Sequence, residues 1–249
     1  MNEVIDTILN HRSIRHFEDK PLTTEQIKTI VTCAQAAATS SFIQAYSIIG
    51  VKDKEKKKRL AELAGNQEYV AINGHFFVFC ADLYRHTIIG EQEQKDVTLS
   101  LESTEKFMVA LIDTALAAQN AAIAAESMGL GICYIGGLRN HLDEVKTMLK
   151  TPERVIPLFG LAVGYPTKIT EKKPRLPFEH IYHEDEYEQN QDVYREQLHE
   201  YDRLISSYYY KRTNGKRQDR WTEQIANMLT KQNRMYMKEF VQKNKLNLK

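Results

Sequence analysis

Short basic segments carry the densest chemistry in the chain. His11-Arg12-Ser13-Ile14-Arg15 packs three potentially cationic side chains and a hydroxyl into five positions. Arginine offers a planar fork of donors matched to phosphate oxygens, and serine adds a small neutral donor. The segment therefore suits a phosphate monoester. A solvated turn at a helix C-terminus, where positive charge complements the helix dipole, is the commoner role of such a segment taken alone. Lys173-Pro174-Arg175 is a second such segment: proline stiffens it, and extended spacing sends Lys173 and Arg175 to one side. A solvated linker has the same composition. Arg212, Lys216 and Arg217 flank Asn214-Gly215, with Lys231 and Arg234 further on. Taken alone, these are ordinary surface charges.

Gly136-Gly137 follows a strand-like run. Two glycines let a backbone approach a flat ligand and aim amide donors at it. A turn needing positive φ accounts for them as well. Gly129 and Gly131 do not make a dinucleotide fingerprint, because they follow a helix and open a strand, the reverse of the required order. The chain contains neither a Walker A sequence nor a G-x-S-x-G motif. His180 and His183, beside Glu184 and Asp185, lack a rigid set of further ligands, so no metal site is expected. Cys33, Cys80 and Cys133 are far apart in apolar surroundings and are expected to be buried, reduced thiols of a cytoplasmic protein.

The 249 residues suffice for one large domain with a sizeable core. With 34 Lys and Arg against 33 Asp and Glu, the net charge of +1 gives no global attraction to nucleic acid or anionic membranes. Any anion site must be local. Met1-Asn2-Glu3-Val4 does not read as a signal peptide. Phe107 to Ala125 contains Asp113, Gln119 and Asn120 and reads as a core helix surrounded by protein, not a membrane span.

The elements that must hold these residues follow from periodicity and caps. Asn2 caps a first helix that delivers the basic segment at Asn10. Thr23 and Gln26 form a capping-box signature before Ile27, Ile30, Val31, Ala34 and Ala37. The hydroxyl-rich loop Thr39-Ser40-Ser41-Phe42 follows, then a strand from Tyr46. Asp53 caps a charged helix to about Leu63, and Gly65-Asn66-Gln67 breaks the pattern. His75 to Ala81 is apolar on both faces and should be a central strand. Residues 87–105 are polar and expected to be mobile at first. A long helix then runs from near Leu101 to Met128, stopped by Gly129. Gly131 to Ile135 is a strand, and Asn140 caps a helix to about Lys150. Pro157 marks either the start of the next buried strand or a bulge in it. From about residue 180 no strand is expected. The last helix is expected to carry Trp221, Ile225, Met228 and Leu229. The pattern implies a mixed sheet covered by helices on both faces.

In this order the segments resemble the NADPH-dependent, FMN-containing nitroreductases of the flavin reductase P and major oxygen-insensitive nitroreductase type, including Bacillus NADPH FMN reductases. The matching stretches include His11 to Arg15, Thr39 to Gln44, Gly65 to Gln67, Ala124 to Gly131, Tyr134 to Asn140, Leu158 to Gly164 and Lys173 to Pro177. The resemblance spans nearly the whole chain. It implies an α+β fold with a mixed, mainly antiparallel sheet, as a single domain over residues 1–249. The core would cover about 1–178, with a helical extension over about 179–249. It also implies an intertwined homodimer with FMN at its interface sites.

By the same resemblance, His11, Arg12, Ser13, Arg15, Thr39, Ser40, Ser41, Gln67, Tyr134, Ile135, Gly136, Gly137, Lys173 and Arg175 would hold the tightly bound, non-covalent FMN. Arg212 and Arg217 would meet the 2′-phosphate of NADPH, and Ser41, Phe42 and Arg234 would line the substrate pocket. The implied reaction is ping-pong hydride transfer from NADPH, through flavin N5, to free FMN, nitroaromatics or quinones. No side chain acts as acid or base, and no metal is needed. The alternative is a non-catalytic FMN carrier. Thr39 replaces a frequent serine, and Asn214-Gly215 gives a turn different from that of some relatives.

Overall fold

In the computed structural model, which describes residues 2–249, the apolar run from His75 to Asp82 is a strand buried at every position. Met1, the first residue of the N-terminal reading, lies outside the described residues. In chain order the elements are α1 (Glu3–Leu9), α2 (Thr24–Gln35), β1 (Tyr46–Val51), α3 (Lys54–Leu63), α4 (Glu68–Ala71), β2 (His75–Asp82), α5 (Tyr84–Gln92) and α6 (Thr98–Leu101). Then come α7 (Thr104–Ser127), β3 (Gly131–Ile135), α8 (Leu142–Leu149), β4 (Val155–Gly164), α9 (Gln191–Arg212), α10 (Trp221–Leu229) and α11 (Met237–Lys243). One compact unit runs to Thr170 and resumes at Arg234–Lys249, and Glu171–Asn233 forms another.

In the first unit the strand order is β1-β2-β4-β3, and each neighbouring pair is antiparallel. Among the described residues the parallel component is one isolated bridge, Ser13 to Ile132. Strand geometry points successive side chains to opposite faces, and β2 uses both. Phe76, Val78 and Cys80 pack with Leu60, Leu63 and Val145 of α3 and α8. Phe77 and Phe79 pack with Ile30 of α2 and with Ala118 and Ala121 of α7. Burying each phenylalanine contributes about 1.5–3 kcal/mol. Opposite Phe79 and Cys80 the register skips Leu158, so Pro157 marks a bulge inside β4 and not its start.

The helix caps follow the sequence. The Asn2 side chain accepts from the Ile5 N–H at 3.0 Å, Thr23 and Gln26 complete the capping box, and Asp53 accepts from Lys56. Gly129 ends α7 at φ +73°, left-handed backbone that favours glycine. Other expectations are corrected. Tyr84–Gln92 and Thr98–Leu101 are helical, as α5 and α6, and the close approach of Val97 to Gly90, where a Cβ would lie 2.5 Å from a methyl, makes their corner. The long helix starts at Thr104, capped by Ser103. Residues 136–140 form a 3₁₀ turn, so α8 begins one residue beyond His141, not at an Asn140 cap. The last helix is α11, whose Phe240 and Val241 are buried with Ile156 and Leu158 in the first unit.

The helix α7 meets the length and composition of a membrane span but is a core helix on one side only. Its opposite side leaves Met108 (51%), Ile112 (51%) and Leu116 (43%) exposed. The expectation that protein surrounds it is thus not met within one chain. In the second unit Tyr201, Ile205 and Tyr209 of α9 pack against Trp221. Asp202 caps α10 by accepting from the Thr222 N–H at 2.9 Å.

Candidate functional site

The basic segment is pinned by backbone to the sheet edge. Ile14 N–H donates to Ile132 O at 2.8 Å, and Ile14 lies so close to Gly131 that a Cβ there would meet it at 2.8 Å. His11 Nδ1 lies 2.8 Å from Glu126 Oε1. A carboxylate only accepts, so Nδ1 carries the proton. Arg12 Nε donates to Asn10 O at 2.9 Å. Among the described residues no carboxylate forms an ion pair with Arg12 or Arg15. Arg12 is half-buried and Arg15 exposed. A half-buried cation is usually paired, so the Arg12 guanidinium in particular is open to an external anion.

A short relay joins this segment to the glycine pair. Arg15 lies within hydrogen-bonding reach of the Tyr69 hydroxyl, whose pKa burial raises against the pull of Arg15. Tyr69 O–H donates to Gln67 Oε1 at 2.5 Å, and Gln67 Nε2 donates to Ala64 O at 2.6 Å. Gly137 closes on the same turn: a Cβ there would lie 2.3 Å from Ala64 O and 2.7 Å from Gln67 Nε2. Neither Gly136 nor Gly137 has positive φ. Close approach, not turn chemistry, is therefore what Gly137 serves.

Arg139, just beyond, donates from Nη1 to Leu158 O, the carbonyl that the β4 bulge turns out, at 2.7 Å. Its pKa is lowered by burial and by the nearby Arg234. Arg234 Nε donates to Asn140 Oδ1 at 3.0 Å, which places it beside the glycine turn. Burial raises the Tyr134 phenol well above its ordinary pKa and raises both the Cys80 and Cys133 thiols. These groups stay protonated and supply no base. Cys33 is only half-buried, contrary to the expectation for it.

The hydroxyl loop is not at this place. It leads into Tyr46 at one end of β1, whereas Ser13 bridges Ile132 on β3 at the far edge and the opposite end of the sheet. Three strand spacings across and the stretch from Ile156 to Val163 along β4 separate them by about 27 Å. The loop is strained. Ser41 (φ 48°), Phe42 (φ 57°) and Gln44 (φ 53°) are left-handed, and Phe42 is 82% exposed. Fully buried Asp113 holds it, accepting from Ser40 N–H through Oδ1 and Ala45 N–H through Oδ2, each at 3.0 Å. His86 Nε2 meets Ile43 O at 2.8 Å. Such strain persists where the surroundings over-determine it, and it clusters at functional sites.

In the second unit, Lys173 and Arg217 share one ring. Their charges lie 5.3 and 4.6 Å from the Tyr209 centroid. Arg175 is exposed, and Tyr201 O–H donates to Pro174 O at 2.9 Å, fixing the Lys-Pro-Arg segment to α9. Arg212 donates to the Tyr208 hydroxyl at 2.7 Å. Asn214 (φ 50°) and Gly215 (φ 80°) make the left-handed turn between Arg212 and Arg217. The sequence reading missed Tyr69, Asp113, Arg139, Tyr209 and Asp219. Only Asp113 carried a signal, as an acid inside an otherwise apolar helix.

The donor set of the first unit fits a phosphorylated flavin. It combines guanidiniums free of acid partners, a side-chain amide and a glycine turn at a sheet edge. A groove of about 1130 Å³ lies between α1, α2 and α7. Arg12 alone of the predicted cofactor residues reaches its wall.

The chain also matches known proteins along its length. The model described as "Nitroreductase family" matches residues 8–165, and that of the "Nitroreductase family, C-terminal domain" matches 173–249. The "FMN reductase (NADPH)" of Bacillus subtilis (strain 168) is 58% identical over 247 residues, covering 99% of each chain. The solved structure of B. megaterium NfrA1 is 67% identical, with TM-score 0.98, over 99% of this chain and 100% of that one. The NADPH:FMN oxidoreductase from Vibrio harveyi, solved with NAD+, is 38% identical, with TM-score 0.89, over 100% of both.

Proposed function

This chain belongs to the nitroreductase family, and from that membership we propose that it is an FMN-containing oxidoreductase that takes two electrons from NADPH and passes them to free flavin, nitroaromatics or quinones. Bound FMN supplies the redox centre, accepting a hydride and giving up two electrons in turn. The carrying observation is the acid-free pair Arg12 and Arg15 joined through Tyr69 and Gln67 to the Gly137 turn. Arg12, Arg15 and Ser13 bind the phosphate, and His11 is oriented by Glu126. Tyr69 fixes Gln67, which with Tyr134 to Gly137 lines the ring. Arg139 and Arg234 add positive charge beside the glycine turn, where an electron-rich ligand is favoured. Lys173 and Arg175 enter as cofactor residues through the family resemblance. No side chain is assigned a proton-transfer step.

A second copy of the chain completes the site in this reading. The hydroxyl loop that presents Thr39, Ser40, Ser41 and Phe42 lies too far from the phosphate residues to serve the same FMN within one chain. The exposed apolar side of α7 and the exposed Val4, Ile5, Ile8 and Leu9 of α1 give the partner copy a surface to cover. No observation favours the carrier reading.

The test pairs flavin content with turnover. The purified protein should be yellow, lose its colour on anaerobic mixing with NADPH, and turn over faster with NADPH than with NADH. Arg15→Ala should lose most of its FMN. A variant that keeps full flavin and full rate would overturn the phosphate assignment.

A further inference from the structure

Of the cations around Tyr208 and Tyr209, Arg217 has an acidic neighbour, Asp219. Arg217 donates through Nε to Asp219 Oδ2 at 2.6 Å, and its Nη2 closes on the same oxygen. Those are the donors a phosphate would take. The guanidinium lies against the Tyr209 ring, where Lys173 also rests. Tyr208 meets Tyr209 edge-on at 5.3 Å and carries Arg212. Among the described residues Asp219 is the one carboxylate in an ion pair with Lys173, Arg212, Lys216 or Arg217. The arrangement is an anion site with a single internal anion already seated in it.

We propose that Asp219 is a built-in competitor for the 2′-phosphate of NADPH, occupying the Arg217 fork until the co-substrate displaces it. The proposal rests on the reading of Arg217 as a 2′-phosphate residue. The pair is half-exposed, with side-chain accessibilities of 52% and 35%. An exposed pair of this kind shifts an equilibrium by roughly two- to fivefold. Asp219 therefore lowers the affinity for NADPH and NADP+ by that factor and leaves NADH untouched. It makes room for the acceptor by hastening release of the oxidised product. Asp219 is in this sense a specificity-determining residue that narrows the preference for the phosphorylated nicotinamide.

The experiment titrates 2′,5′-ADP, 5′-ADP, NADP+ and NAD+ into the holoenzyme by calorimetry. The proteins compared are wild type, Asp219→Asn, Asp219→Ala, Arg217→Ala and the Arg217→Ala/Asp219→Asn double variant. Both Asp219 variants should bind 2′,5′-ADP and NADP+ roughly two- to fivefold more tightly. Their affinity for 5′-ADP and NAD+ should not change, and the double variant should match Arg217→Ala alone. If Arg217→Ala weakens 2′,5′-ADP but the Asp219 variants bind it no better than wild type, the competitor is refuted and the role of Arg217 stands. Equal tightening of 5′-ADP would refute it too, as a general charge effect. An Arg217→Ala protein with undiminished affinity for 2′,5′-ADP would remove the phosphate reading itself, and the proposal with it.

Discussion

The two basic regions are built on opposite principles. Around His11 to Arg15 the backbone does the holding: Ile14 is bonded to Ile132, Ser13 bridges the same residue, and Gly131 admits the chain closely. Arg12 and Arg15 are thereby placed without acid partners. Around Arg212 and Arg217 the side chains do the holding. Tyr208, Tyr209 and Asp219 take up the cations on an exposed turn. A site whose charges are fixed by main chain and left unpaired is paid for in the fold and suits a resident anion. A site whose charges already have soft, exchangeable partners suits a ligand that must come and go. On the assignment proposed above, the first region would hold FMN tightly and the second would take NADPH transiently.

The largest expected effect separates the two directly. Arg15→Ala removes a charge-assisted phosphate contact of about 1.5–3 kcal/mol, a loss of ten- to a hundredfold in FMN affinity. Arg217→Ala should raise the NADPH KM yet leave flavin content intact. Flavin absorbance per chain and KM, measured on both, would show whether the regions divide the ligands; a loss of FMN from Arg217→Ala would break the comparison.

Next comes Asp113→Ala. It strands the Ser40 and Ala45 N–H groups and releases the strained loop, at a cost of about 1–3 kcal/mol. Denaturant unfolding reads the loss, and a raised KM for bulky acceptors reads the freed Phe42. Gly137→Ala follows, at about 1–3 kcal/mol, because its Cβ would collide with the Ala64 carbonyl. Lower stability with weaker flavin retention is expected. Unchanged flavin retention would separate the glycine turn from the cofactor.

Much of the first unit was legible because its signals are local. Asn2, Thr23 and Asp53 sit three residues from the N–H groups they cap, and the two-faced burial of β2 is written in one run. The local reading failed where partners are distant. Asp113 reaches back to Ser40 and Ala45, and α11 returns to pack on Ile156 and Leu158. The glycine pair was left open between a positive-φ turn and a close approach to a ligand; what approaches Gly137 is Ala64 of its own chain, fixed only by tertiary structure. Arg217 was legible as a cation, while the acid two positions on gave no sign that the two side chains would meet.

The smallest expected effect concerns Tyr209, which tests whether a ring or a hydroxyl organises the second region. Burial would raise its phenol, but the Lys173 ammonium, a hydrogen bond to Gln224 and the Arg217 charge together outweigh burial and hold the pKa below its ordinary value. The hydroxyl therefore serves Lys173, and the ring face serves Arg217. Tyr209→Phe keeps the ring and should leave the NADPH KM within twofold. Tyr209→Leu keeps apolar bulk but removes the π face, worth about 0.5–1 kcal/mol at an exposed cation, and should raise that KM two- to fivefold. Because Tyr209 also packs with Tyr201 and Ile205, thermal unfolding of both variants must accompany the kinetics. If the two variants shift KM equally, the ring is not what aims Arg217, and the exchangeable character of this region rests on Asp219 alone.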